Sequence, residues 1–80
     1  MEDTNDTIQS ICKVVVAAMQ MKTQTQRLCM NDLRVLLLQQ GATKHDLAEA
    51  LDRIANMQNY EVVNLRDDPW MTCVQHRRKS

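Results

Sequence analysis

The chain turns a corner at Gly41-Ala42-Thr43, between Leu36-Leu37-Leu38-Gln39-Gln40 on one side and Lys44-His45-Asp46-Leu47-Ala48-Glu49-Ala50-Leu51 on the other. Both flanks carry apolar residues at helical spacing, so three residues must end one helix and begin the next. Gly41 is the only glycine in the chain and suits the left-handed position that closes a helix, because it has no Cβ to clash there. Thr43 suits an N-cap, and Asp46 three residues later completes a capping-box pattern with Asp in place of the longer Glu. Two helices are thus committed to a sharp bend around a shared core.

Upstream, a first helix is expected from an N-cap at Asn5 or Asp6 to about Met21, because Ile8, Ile11, Cys12, Val15, Ala18 and Met19 fall on one helical stripe. Val14 and Val16 lie off that stripe. An apolar band this wide implies cover on more than one side, from the rest of the domain or from a second copy of the chain. Ile8, Ile11, Val14, Val15, Val16 and Met19 are therefore the candidate surface for a homodimer or another partner. Lys22 to Arg27 is polar without a stripe and reads as a connector. A second helix follows, with Asn31 as candidate N-cap, Asp32 beside the positive end of the helix dipole, and Leu33, Leu36 and Leu37 on the buried face. Beyond the corner, Leu47, Ala50, Leu51 and Ile54 give the third helix one narrow apolar face.

After Asn56 the period changes. Tyr60 to Leu65 and Trp70 to Gln75 are rich in β-branched and aromatic residues, and Arg66-Asp67-Asp68-Pro69 between them is turn chemistry, which together predict a β-hairpin of open register. The expected fold class is α+β: three helices followed by a C-terminal β-hairpin, in a single domain over 1–80 with 1–6 and 76–80 as flexible ends.

A chain of 80 residues buries only about 60% of the surface that its unfolded form exposes, so its core has little to spare. That core has no Phe, one Trp and one Tyr, and relies on aliphatic residues and six Met. Met-rich packing is adaptable, as befits a domain that completes its core by pairing. Trp70, the largest apolar residue, is either an exposed anchor for a partner or the plug between hairpin and helices, and the missing Phe favours the plug. Three cysteines, Cys12, Cys29 and Cys73, are an odd number without regular spacing, and the N-terminus lacks a leader pattern. The expectation is isolated buried thiols in a cytoplasmic protein. The longest apolar run, Val14 to Met19, is far short of the roughly 20 residues that cross a bilayer, so no membrane span is expected.

The order helix, helix, tight corner, helix, hairpin resembles the winged helix-turn-helix superfamily. The residues that carry the likeness are Leu33, Leu36 and Leu37, Gly41, Thr43, Leu47, Ala48 and Leu51, and the two strand-like segments. The resemblance implies a winged-helix-like fold whose third helix enters a groove of duplex DNA. It assigns Lys44, His45, Glu49 and Arg53 to that contact, with Arg66 and the C-terminal Arg77, Arg78 and Lys79 on phosphates. Asp46, Glu49 and Asp52 are interleaved with the cations of this helix, and Asp67 and Asp68 sit at the hairpin tip, where phosphate contact needs cations. Ten Lys/Arg against ten Asp/Glu leave no net field to attract a polyanion.

Other constellations have simpler readings. Cys73-Val-Gln-His76 has a spacing found in zinc sites, but zinc usually takes two such pairs, and no metal or other cofactor is expected. His45 and Glu49 stand one helical turn apart without a nucleophile, which makes a solvated pair rather than an acid–base couple. With one Gly there is no phosphate loop, so the chain is not expected to be an enzyme. The expected function is a small regulator, probing duplex DNA as a homodimer in the control of transcription; the alternative is a protein-interaction module on the same scaffold.

Overall fold

The structure is a computed structural model that describes residues 3–63 and 67–77, with side chains from Asp6 onward. The described residues form three helices and a three-stranded antiparallel sheet, an α+β fold. Helix α1 (Asp3–Gln20) comes first. It contains both Asn5 and Asp6, so neither caps it from outside as expected, and the segment expected to be a loose end is helical from Asp3. Ile8, Ile11, Val15 and Met19, spaced three or four residues apart, are all buried, while Cys12, Val14, Val16 and Ala18 flank them half-buried. This face packs mainly against α3 (Lys44–Ala55).

The polar stretch after α1 is more than a connector. Thr23 and Gln26 close a turn, with the Thr23 amide donating to Gln26 Oε1 at 2.9 Å, and strand β1 (Arg27–Cys29) follows. Three residues are too few for alternation to stand out in the sequence. Their pairing partner lies far along the chain, so the strand exists only once the fold has closed. Met30–Leu33 then form a 3-10 turn, and helix α2 (Arg34–Gln39) starts later than expected. Asn31 lies inside the 3-10 turn, and Leu33, without a side-chain cap, precedes α2. The tighter winding of that turn shifts the helical phase: Leu37 is fully buried and Leu33 half-buried, but Leu36 is exposed.

The corner behaves as its residues require. Gly41 has φ +84°, its amide donates to the Leu38 carbonyl at 3.0 Å, and the Ala42 amide donates to the Leu37 carbonyl at 3.1 Å. That is the paired bonding of a Schellman motif, with buried Ala42 and Leu37 supplying its apolar contact. Thr43 Oγ1 accepts from the Asp46 amide at 3.1 Å, and the Thr43 amide donates to Asp46 Oδ2 at 3.3 Å, so Asp completes the capping box that opens α3. Leu47, Ala50, Leu51 and Ile54 are buried beneath it.

Strand β2 (Tyr60–Val63) and strand β3 (Cys73–His76) pair antiparallel, with Tyr60 opposite His76 and Val62 opposite Val74. The hairpin is shorter than predicted: Pro69–Met71 make a 3-10 turn, which puts Trp70 outside the strand, and Leu65 and Arg66 lie outside the described residues. Trp70 is buried as the plug, its amide held by Asp68 Oδ1 at 3.1 Å and its ring 5.6 Å from the Arg34 guanidinium carbon. β3 is the central strand, because β1 pairs along its other edge with Leu28 opposite Val74 and Cys29 opposite Cys73. Leu28, Val74 and Tyr60 face the helices. On the outer face Arg27 Nε donates to Gln75 Oε1 at 3.1 Å and Gln75 Nε2 donates to Glu61 Oε1 at 2.9 Å, a polar ladder across all three strands.

His76 ties sheet to helix. Its Nε2 lies 2.9 Å from the Met19 carbonyl and 3.2 Å from the Lys22 carbonyl, two acceptors that require the proton on Nε2. His76 thus satisfies the Met19 carbonyl in the last turn of α1 and the Lys22 carbonyl just beyond it, and its ring lies 5.5 Å from that of Tyr60 at a tilt of 44°.

The corner yields a direct test. A Cβ at Gly41 would meet nothing within 4 Å, so the strain of a side chain there comes from φ alone. Gly41→Ala is expected to lower unfolding free energy by about 1–2 kcal/mol, and Gly41→Asn by less, in urea titrations with unchanged m-value.

Candidate functional site

The residues expected to contact a partner separate into three groups. Lys44, His45, Glu49 and Arg53 stand exposed on the outer face of α3, as the helical period requires. Lys44 Nζ is 4.0 Å from Asp68 Oδ1, which brings the hairpin connection against the first turn of α3. Both side chains are largely exposed, so this ion pair is worth at most about 1 kcal/mol, but it partly neutralises one of the cations assigned to the groove contact of the third helix.

Arg77 belongs to a second group. Its amide continues the sheet ladder by donating to the Asn59 carbonyl at 2.9 Å, and its guanidinium Nη2 donates to the Tyr60 carbonyl at 2.9 Å and the Ala55 carbonyl at 3.4 Å. The side chain thereby joins the end of α3 to the start of β2. Arg66, Arg78 and Lys79 lie outside the described residues.

The third group is the apolar band of α1. Ile8, Ile11, Val15 and Met19 are buried in the chain's own core, which leaves half-buried Val14 and Val16 as the members of that set within reach of a second molecule.

Between α3 and the hairpin lies a groove of about 220 Å³. Ala48, Leu51 and Ala55 of α3 form one wall, and Val62 of β2 with Pro69 forms the other. Asp52 and Asp67, both exposed, supply carboxylates to its lining, and Thr72 completes it. Thr72 is 1% exposed, and its Oγ1 has no hydrogen-bond partner among the described residues. A buried hydroxyl in that state costs about 1–3 kcal/mol. The groove therefore offers an apolar trough and two negative charges, the complement of a side chain with an aliphatic stem and a cationic head. In the sequence Asp52 and Asp67 read as departures from a phosphate-binding surface, and nothing in their spacing joins them into a site. Thr72, a lone hydroxyl in an apolar strand-like segment, was the signal available for the rest.

Outside the groove, α2 leaves Val35, Leu36 and Leu38 exposed, as is Met71 on the 3-10 turn that packs against Met30–Leu33. Cys73 and His76 fall on opposite faces of β3, which is why their zinc-like spacing does not converge. Among the described residues no group of three or more His, Cys, Asp or Glu side chains could hold a metal ion, and no helix is long and apolar enough to cross a membrane. The cysteines are not isolated, contrary to expectation: Cys29 and Cys73 meet with their sulfurs 2.7 Å apart, whereas Cys12 on α1 donates to the Ala50 carbonyl at 3.7 Å.

Thr72→Val keeps the shape and removes the unpaired hydroxyl. It is expected to raise unfolding free energy by about 1 kcal/mol, measured by chemical denaturation. No family model, curated protein or solved structure gives a match to this chain.

Proposed function

We propose that the chain is a protein-interaction module whose groove between α3 and the hairpin receives a basic, amphipathic segment of a partner protein. One observation carries this reading: the surface on which a nucleic acid would have to lie is lined by Asp52 and Asp67 over apolar walls. A phosphate backbone brought there meets like charge, whereas an Arg or Lys side chain meets carboxylates and lays its stem on Leu51, Ala55 and Val62. The exposed Val35, Leu36 and Leu38 of α2 supply further apolar contact area of the kind that partner surfaces cover.

The second reading keeps the winged-helix resemblance and duplex DNA. It is supported by the element order, in which β1 and the hairpin flank a helix pair joined at a tight corner, and by α3, whose Lys44, His45 and Arg53 project from an exposed face. In that reading a homodimer would double a weak half-site contact, with Val14 and Val16 left for the subunit interface.

Charge neutralisation separates the two by sign. Asp52→Asn combined with Asp67→Asn is expected to weaken binding of an amphipathic Lys/Leu peptide by about tenfold in fluorescence anisotropy, because two attractive charges are lost. If DNA is the ligand, the same variant binds duplex DNA more tightly than the parent at low salt, and the affinity falls steeply as salt rises. Tighter DNA binding together with unchanged peptide affinity would overturn the protein-interaction reading.

A further inference from the structure

We propose that Cys29 and Cys73 form a redox modification site, at which a small organic disulfide oxidises two thiols to one cross-strand disulfide that staples β1 to β3. The two residues face each other in register, and the Met30 amide donates to the Thr72 carbonyl at 3.0 Å beside them. That bond marks Cys29 and Cys73 as a non-hydrogen-bonded pair of the antiparallel ladder, the closer of the two pair types, with Cα atoms about 4.5 Å apart. Disulfides span Cα separations of about 4.4–6.8 Å, so the backbone already permits closure. The two sulfurs face each other across the strands at 2.7 Å. Cys29 is half-exposed and Cys73 buried, which gives each a separate part.

Cys29, as thiolate, attacks one sulfur of the small disulfide. The S–S bond of the reagent breaks, one small thiolate leaves, and Cys29 becomes a mixed disulfide. The Cys73 sulfur, giving up its proton, then attacks the Cys29 sulfur and displaces the second small thiolate. Two protein thiols are oxidised, one small disulfide is reduced, and the two protons from the cysteines end on the two small thiols. The hydrogen bond with Cys73, and then burial, push the Cys29 thiol up to about 11, so its thiolate is scarce at neutral pH. Closure therefore speeds up about tenfold per pH unit above neutrality until that range is reached.

The closed bond links residues 44 apart in sequence and constrains the unfolded chain accordingly. Incubation of the full chain with oxidised glutathione at alkaline pH is expected to give a monomer in which non-reduced peptide mapping joins Cys29 to Cys73 with no retained glutathione. Its Tm should rise by on the order of 10 °C and return on reduction. Cys12→Ser should behave like the parent, and Cys73→Ser should stop at glutathione on Cys29. A lasting glutathione adduct on parental Cys29, cross-links between chains, or a linked product that melts below the reduced chain would each overturn the proposal.

Discussion

Everything in this domain depends on β3 being paired along both edges. Val74 lies between Leu28 of β1 and Val62 of β2, so one strand near the C-terminus gathers the link after α1 and the segment after α3 into a single sheet. Both backbone edges of β3 are satisfied, and its core face supplies Val74 with no exposed surface. These pairings are distant in sequence and carry a loop-closure cost that local helices do not, so the sheet stands or falls as a unit. His76 extends the same strand's reach by bonding the Met19 carbonyl at the end of α1, and Arg77 by donating to the Ala55 carbonyl at the end of α3.

The helices around that sheet are held by terminal chemistry as much as by packing. α2 is only six residues long, too short to persist alone, and is fixed by Leu37 beneath it, the 3-10 turn before it and the Schellman bonds after it. The capping box then starts α3 at once, so two helix ends that share one corner are each closed by their own hydrogen bonds. The angle set there decides which side of α3 faces the core and which faces the groove.

The groove follows from this arrangement rather than from any motif. Residues from α3, β2 and the turn before β3 contribute to it, and their side chains are apolar apart from Asp52, Asp67 and Thr72. Electrostatics then governs the proposed ligand: the cation nearest the hairpin, Lys44, already has Asp68 for a partner, and Arg77 is engaged with backbone carbonyls. The remaining character of this surface is apolar with carboxylates, which is why a basic segment suits it better than a phosphate chain.

The sequence by itself determined what depends on neighbours within one helical turn. The left-handed Gly41, the Thr43–Asp46 capping box, the buried stripe of Ile8, Ile11, Val15 and Met19, and the turn chemistry before Trp70 all express local sterics and short hydrogen bonds, and all are legible from spacing. Tertiary structure alone decided the existence of β1, the exposure of Leu36, the meeting of Cys29 with Cys73 and the assembly of Asp52, Asp67 and Thr72 around one groove. Each of these joins residues far apart in the chain or depends on a change of helical winding. Such outcomes follow from which surfaces are left over when the whole core closes, a quantity that no single stretch of residues carries.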